Sequence, residues 1–110
     1  MWKESIRVEI QRAREAERVG NEGRVRVSAR RAAGIALEEL ARHLPSYATE
    51  GSMIDQLASI GNSDAVPESI RAAANRLAAR VNKDFTSPST NPIDDAMIVI
   101  EFVGQMLDSA

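Results

Sequence analysis

The chain has 110 residues, 44% of them hydrophobic and 27% charged, with a formal net charge of −2. These values are ordinary for a soluble globular protein and fit one domain over residues 1–110. Cysteine is absent and His43 is the single histidine, which excludes disulfides, thiolate zinc sites and sites built from several histidines. We expect neither a metal ion nor a cofactor.

Membrane insertion and secretion are not expected. No apolar run approaches the roughly 20 residues that a membrane-spanning helix needs. The N-terminus MWKESIRVEIQRAR is charged throughout and lacks the apolar core of a signal peptide. A cytoplasmic protein is the simplest interpretation. Its charge is uneven, since residues 1–43 hold ten basic and seven acidic residues, whereas residues 84–110 hold five acidic residues and no basic one.

The hydrophobic periodicity predicts five helices and no strand, so the fold class is all-α. The first helix spans Trp2 to about Arg18. Its apolar residues recur at helical spacing on one stripe, namely Trp2, Ile6, Ile10, Ala13 and Ala16. Gly20 and Gly23 bracket a turn so short that it favours an antiparallel pair of helices.

The second helix, from about Arg24 to His43, is the most distinctive part of the sequence. Short side chains occupy much of its length and let another helix approach closely; they are Ser28, Ala29, Ala32, Ala33, Gly34 and Ala36. Its first half carries four arginines, at positions 24, 26, 30 and 31. Pro45 ends the helix.

Two further helices follow in the middle of the chain. Ser52 can act as the N-cap of a short third helix. Pro67 and Glu68 open a fourth helix, whose apolar stripe runs from Val66 to Val81. Residues Lys83–Asn91 show no helical pattern and are expected to form a loop.

The last helix opens at Asn91-Pro92 with Asp94 and Asp95 in its first turn. Paired acids can bind a metal ion or share acid–base roles, but at such a helix start they are expected to interact with the helix dipole. The helix is apolar on two faces, and a small bundle is not expected to cover both within one chain. We therefore expect a homodimer whose second chain covers the face with Ile98, Phe102 and Met106.

The arginines of the second helix have two interpretations. Guanidinium groups bind phosphate and carboxylate in a bidentate fork, and Arg24 and Arg31, seven residues apart, share one face. They are candidate contacts to phosphate or nucleic acid. The favoured alternative is structural ion pairing with acidic residues, either in the last helix or in the first helix at Glu4, Glu9, Glu15 and Glu17.

His43 and Trp2 have structural interpretations. His43 lies at the end of the second helix, where an imidazole can satisfy a free carbonyl and a cation is favoured by the dipole. Trp2 is expected to be part of the apolar stripe or an interface anchor. The chain contains no dinucleotide-binding, P-loop, nucleophile-elbow, HExxH or EF-hand pattern.

The order of these segments resembles prokaryotic HEPN (higher eukaryotes and prokaryotes nucleotide-binding) proteins. The segments that carry the resemblance are AREAE, ARRAAGIALEEL, SMIDQLASI, VPESIRAAANRL and DDAMIVIEFV, and as a pattern of helices they cover almost the whole chain. The resemblance implies an up-and-down four-helix bundle with one short additional helix, usually dimeric. Many family members are ribonucleases of toxin–antitoxin or defence systems, often encoded beside a small nucleotidyltransferase.

The family's active site resembles R-x(4–6)-H at a dimer cleft, and here Arg76 takes the place of the arginine. The histidine would fall at Val81, Asn82 or Lys83, and from Arg80 the same spacing lands on residues 85–87, none of which is histidine. The motif therefore lacks the group whose pKa lies near neutrality and that would move protons in RNA cleavage.

Three hypotheses follow. The first is a non-catalytic HEPN-like dimer that acts as a binding or regulatory partner for nucleotide, RNA or a small nucleotidyltransferase. Its candidate phosphate contacts are Arg76, Arg80, Arg24 and Arg31. The second is a divergent ribonuclease that uses Arg76, Arg80, Asn82 and Asp84 at a dimer cleft. The third is a helical protein-interaction module without a link to nucleic acid.

Overall fold

The computed structural model describes residues 1–48, 51–79 and 90–109. Within these ranges the chain forms α-helices and no β-strand; the helices are α1 (Trp2–Arg18), α2 (Glu22–His43), α3 (Met53–Gly61), α4 (Glu68–Ala78) and α5 (Pro92–Ser109). A short 3-10 turn, Pro45–Tyr47, directly follows α2. The all-α fold class expected from the sequence is confirmed.

Helix α2 is the centre of the bundle, because it packs against α1, α3, α4 and α5. Helix α5 also packs against α4, and α3 packs mainly against α4. Near the starts of α2 and α5, Val25 and Ile93 share a buried cluster with the end of α1. Near the far end of α2, Tyr47 contacts Phe102 of α5. Helices α2 and α5 therefore run in the same direction, as in an up-and-down bundle of α1, α2, α4 and α5.

The short side chains of α2 explain its central position. Four alanines of this helix are completely buried, namely Ala29, Ala32, Ala33 and Ala36, and their small size lets neighbouring helices approach. Gly34 serves the contact with α3, since a Cβ atom at this position would lie 2.5 Å from Sδ of Met53. Larger side chains from the other helices fill the remaining core, including the fully buried Leu57, Val99 and Val103.

The ends of α2 and α4 differ by a few residues from the sequence prediction. Asn21 caps α2, because its side-chain oxygen accepts the backbone N–H of Arg24 at 3.2 Å. The helix therefore begins at Glu22, and the turn before it needs only Gly20 in the left-handed region, at φ 77°. Helix α4 ends at Ala78, three residues before the end of the predicted stripe, and Ala79 has an extended backbone.

Candidate functional site

Arg76, in the last turn of α4, forms a bidentate ion pair with Asp95, in the first turn of α5. Its Nε–H group donates to both carboxylate oxygens, at 3.2 and 3.1 Å, and its Nη2 atom lies 2.7 Å from Oδ1. The Asp95 side chain is 8% exposed and that of Arg76 is 42% exposed. The hydrogen bonds to Asp95 raise the pKa of Arg76. The guanidinium therefore stays charged and directs its fork at a residue of the same chain.

This pair also suits the two helix ends at which it lies. A cation is favoured near the C-terminus of a helix and an anion near the N-terminus. The sequence assigned Asp95 to the helix dipole, and the structure adds a partner on another helix. Of the four ribonuclease candidates, only Arg76 is placed, because Arg80, Asn82 and Asp84 lie outside the described residues.

Arg30 of α2 reaches across to the end of α4. Its Nε–H group donates to the carbonyl oxygen of Leu77 at 2.6 Å, and Nη2 donates to that of Ala79 at 2.8 Å. Carbonyls at the end of a helix lack helical partners, so Arg30 acts as a cap for α4. Burial, with a smaller effect from the nearby charge of Arg26, lowers the pKa of Arg30. Sequence reasoning missed this role, because the partners are backbone atoms 47 and 49 residues away.

Arg24 and Arg31 lie on the outer stripe of α2, and both are exposed. Neither guanidinium group forms an ion pair or a hydrogen bond with another residue in the described parts of the chain. Only the backbone N–H of Arg24 is engaged, in the cap made by Asn21. These two arginines are therefore available to a ligand without the loss of an existing contact.

The acidic residues of α1 do not neutralise these arginines, contrary to the favoured interpretation of the sequence. Three of them form ion pairs along α1 itself, namely Glu4 with Arg7, Glu9 with Arg12 and Glu15 with Arg18. Each pair joins residues three positions apart, which lie next to each other on a helix surface. Local partners on α1 therefore replace the expected contacts between α1 and α2.

Phe102 does not lie on a surface available to a second chain, which corrects its assignment to a dimer interface. It is 6% exposed, and its ring meets that of Tyr47 edge-on, with the ring centroids 6.5 Å apart. The 3-10 turn after α2 therefore covers part of the second apolar face of α5. Ile98 and Met106, the other two residues of the expected interface, are half-buried.

Trp2 lines a cleft of about 290 Å³ between the start of α1 and the end of α2. The Nζ atom of Lys3 lies 5.6 Å from the centre of the Trp2 ring. The charged groups on the opposite wall pair with one another, since Arg42 lies 3.2 Å from Glu38 and 3.1 Å from Glu39. The cleft thus combines an aromatic wall with charges that are already paired.

His43 contacts a carboxylate rather than the free carbonyl expected for a helix cap. Its Nε2 atom lies 2.9 Å from Oε1 of Glu39, one turn earlier on α2. No described group of three or more histidine, cysteine or acidic side chains is arranged to hold a metal ion. Within the same residues, none of the helices has both the length and the apolarity to cross a membrane.

Comparison with protein-family models, with curated proteins and with solved structures gives no significant match.

Proposed function

We propose that the chain is a non-catalytic, HEPN-like helical module that acts as a binding or regulatory partner and engages an anionic ligand through Arg24 and Arg31. One observation supports this proposal: some arginine side chains form contacts within the fold and others do not. Arg30 and Arg76 donate to atoms of the fold. Arg24 and Arg31 are exposed and have no partner for their side chains among the described residues.

The surroundings of Arg76 argue against catalysis by the described part of the chain. RNA cleavage by general acid–base chemistry needs groups that take up and release protons. The guanidinium of Arg76 remains charged, and Asp95 accepts its hydrogen bonds. His43 is 13 residues from Arg30 on α2, which corresponds to about 20 Å along the helix axis. Within one chain, the single imidazole is therefore remote from the end of α4.

The spacing of Arg24 and Arg31 suits a ligand with several anionic groups. Seven residues correspond to about 10 Å along a helix, and both side chains lie on the same stripe. Guanidinium groups bind carboxylate and phosphate in the same bidentate geometry. The proposed ligand chemistry is therefore a pair of anionic oxygen groups separated by about two helical turns.

The proposal includes a homodimer, with the half-buried Ile98 and Met106 of α5 as its expected contact. The outer side of α5 also exposes Asp94, Glu101 and Asp108, again at intervals of seven residues. A symmetric pairing of two α5 helices brings these like charges together. Added salt screens such repulsion, so dimerisation is expected to strengthen with salt, whereas binding of an anionic ligand is expected to weaken.

An RNA-cleavage assay separates this proposal from a divergent ribonuclease. The purified chain is incubated with single-stranded RNA, with Arg76→Lys as the test variant and Arg42→Lys as the control with a paired arginine elsewhere. The proposal predicts no cleavage above the buffer background for any of the three proteins. The ribonuclease is established instead if the wild type and Arg42→Lys cleave the RNA and Arg76→Lys does not, although Arg76→Lys is still folded.

A further inference from the structure

The outer stripe of α2 has the spacing of a helix that packs lengthwise against another helix. Arg24, Val27, Arg31 and Gly34 follow one another at intervals of three, four and three residues, as the a and d positions of paired helices do. The side chains of Arg24, Val27 and Arg31 are exposed. Together with Met53 of α3, we call these residues the α2 seam.

The side chain of Met53 occupies the space that a side chain at position 34 would fill. Its Sδ and Cγ atoms lie 2.5 and 2.6 Å from where a Cβ of residue 34 would be. Met53 is 37% exposed and Val27 is 43% exposed. The seam therefore presents two arginines and two aliphatic side chains in alternation. Arg24 and Gly34 are ten positions apart on α2, which corresponds to about 15 Å.

We propose that the α2 seam docks an amphipathic helix of a partner protein. Acidic side chains of that helix pair with Arg24 and Arg31, and its aliphatic side chains cover Val27 and Met53. The inference rests on the proposed function, because it names the class of partner for the same two arginines. Charge complementarity requires acidic residues at the partner positions opposite Arg24 and Arg31, and the exposed aliphatic groups require apolar residues at the positions between them.

The composition of the seam favours a protein helix over nucleic acid. Binding of single-stranded nucleic acid typically uses aromatic side chains on which bases stack. Trp2 lies at the start of α1, and Tyr47, in the turn after α2, contacts Phe102 of α5. The seam itself has no aromatic side chain. The formal net charge of −2 also gives the chain no overall attraction for a polyanion.

Both the arginines and the aliphatic side chains of the α2 seam are required for affinity. An exposed ion pair contributes little on its own, because it is solvated and screened by salt. Burial of aliphatic side chains contributes in proportion to the area removed from water. A partner with acidic groups alone or apolar groups alone is therefore expected to bind weakly. Removal of either the arginines or the aliphatic side chains of the seam is expected to raise the dissociation constant.

Fluorescence anisotropy with the full chain tests the inference with defined probes. The first probe is a labelled helix-forming peptide with glutamates seven residues apart and leucines at the intervening seam positions. The second probe replaces these glutamates with glutamine, and the third is a labelled single-stranded RNA. We expect the first peptide to bind, and its affinity to fall at least tenfold with the glutamine peptide, with Arg31→Ala and with Val27→Ser.

Two matched variants on α1 serve as controls. Arg14→Ala removes an arginine that, like Arg31, is exposed and has no partner for its side chain among the described residues. Val8→Ser removes a valine that is 42% exposed, against 43% for Val27. Both are expected to bind the first peptide within twofold of the wild type. Circular dichroism verifies that each variant is folded.

The outcomes separate the inference from the proposed function. Equal binding by Val27→Ser and the wild type, equal binding of the two peptides, or no binding of either peptide overturns helix docking. RNA binding that needs Arg24 and Arg31 but not Val27 also overturns it, while the proposed function stands. Peptide binding lost in both Arg31→Ala and Val27→Ser, with both controls unchanged, supports the inference.

Discussion

Arg76 and Asp95 connect the last turn of α4 to the first turn of α5 through three contacts of 2.7 to 3.2 Å. The two residues are 19 positions apart, so the pair holds together the helices on either side of residues 80–89. The resemblance to HEPN proteins assigns the arginine to the active site of a ribonuclease. In this chain, the contacts of Arg76 with Asp95 give the arginine a structural role.

Removal of the Arg76 side chain is therefore expected to lower stability. Arg76→Ala takes the bidentate partner from a buried carboxylate, and we expect the free energy of unfolding to fall by about 1–3 kcal/mol. Urea denaturation of Arg76→Ala, Asp95→Ala and the double variant gives the coupling energy, expected at about 1–2 kcal/mol. The control is Arg42→Ala, which removes an exposed arginine paired with Glu38 and Glu39. Its free energy of unfolding is expected to change by less than about 1 kcal/mol. A coupling energy near zero contradicts the structural role.

Arg30 and Arg31 are adjacent arginines whose replacement is expected to affect stability very differently. Arg30→Ala removes two hydrogen bonds from a charged donor to the end of α4, which is expected to cost about 1.5–3 kcal/mol. Arg31→Ala changes an exposed residue and is expected to alter stability by less than about 0.5 kcal/mol. Arg30→Lys is expected to recover little, since an ammonium cannot reproduce the two-pronged contact. Equal midpoints of thermal unfolding for the two alanine variants would rule out the capping role.

Two glycines in helix interiors provide a second matched pair. A Cβ at Gly104 meets no atom within 4 Å, whereas a Cβ at Gly34 collides with Met53. Gly104→Ala is expected to raise the free energy of unfolding by about 0.5–1 kcal/mol, the usual difference in helix propensity. Gly34→Ala is expected to lower stability, because Met53 must leave its contact with α2. A similar gain for both variants would show that α3 does not approach α2 as described.

Dimerisation is tested by light scattering on Ile98→Asp and Phe102→Asp. Ile98→Asp is expected to give a helical monomer, since residue 98 is half-buried. Phe102→Asp places a carboxylate in the core and is expected to cost about 3–5 kcal/mol, so that helicity itself is lost. The dimer is also expected to strengthen as salt is added. A wild-type chain that is monomeric at micromolar concentration refutes the dimer.

The helices could be predicted from the sequence because their signals are local. The stripe of α1, the short side chains of α2 and the Asn-Pro start of α5 all act within a few residues of one another. The end of α4 is different. Its apolar stripe continues to Val81 in the sequence, but the helix ends at Ala78. At that end, Arg30 of α2 donates hydrogen bonds to the carbonyl oxygens of Leu77 and Ala79, and these contacts are not visible in the local sequence.

The candidate site was less predictable because its contacts are distant in sequence. Apolar spacing alone assigned Phe102 to an interface, since nothing local indicates that Tyr47 folds back over it. The four arginines of α2 look equivalent in the sequence. Only the fold distinguishes Arg30, which faces the end of α4, from Arg31, which faces solvent.

The central claim, that Arg24 and Arg31 form the anion-binding surface, is tested most directly by NMR of the arginine Nε–Hε groups during a titration with inorganic phosphate. The account predicts that the Arg24 and Arg31 resonances shift with phosphate concentration, while those of Arg30 and Arg76 stay in place. Arg7 and Arg18, which are exposed but paired on α1, serve as controls and are expected to shift less. Shifts centred on Arg76, with Arg24 and Arg31 unaffected, would contradict the account.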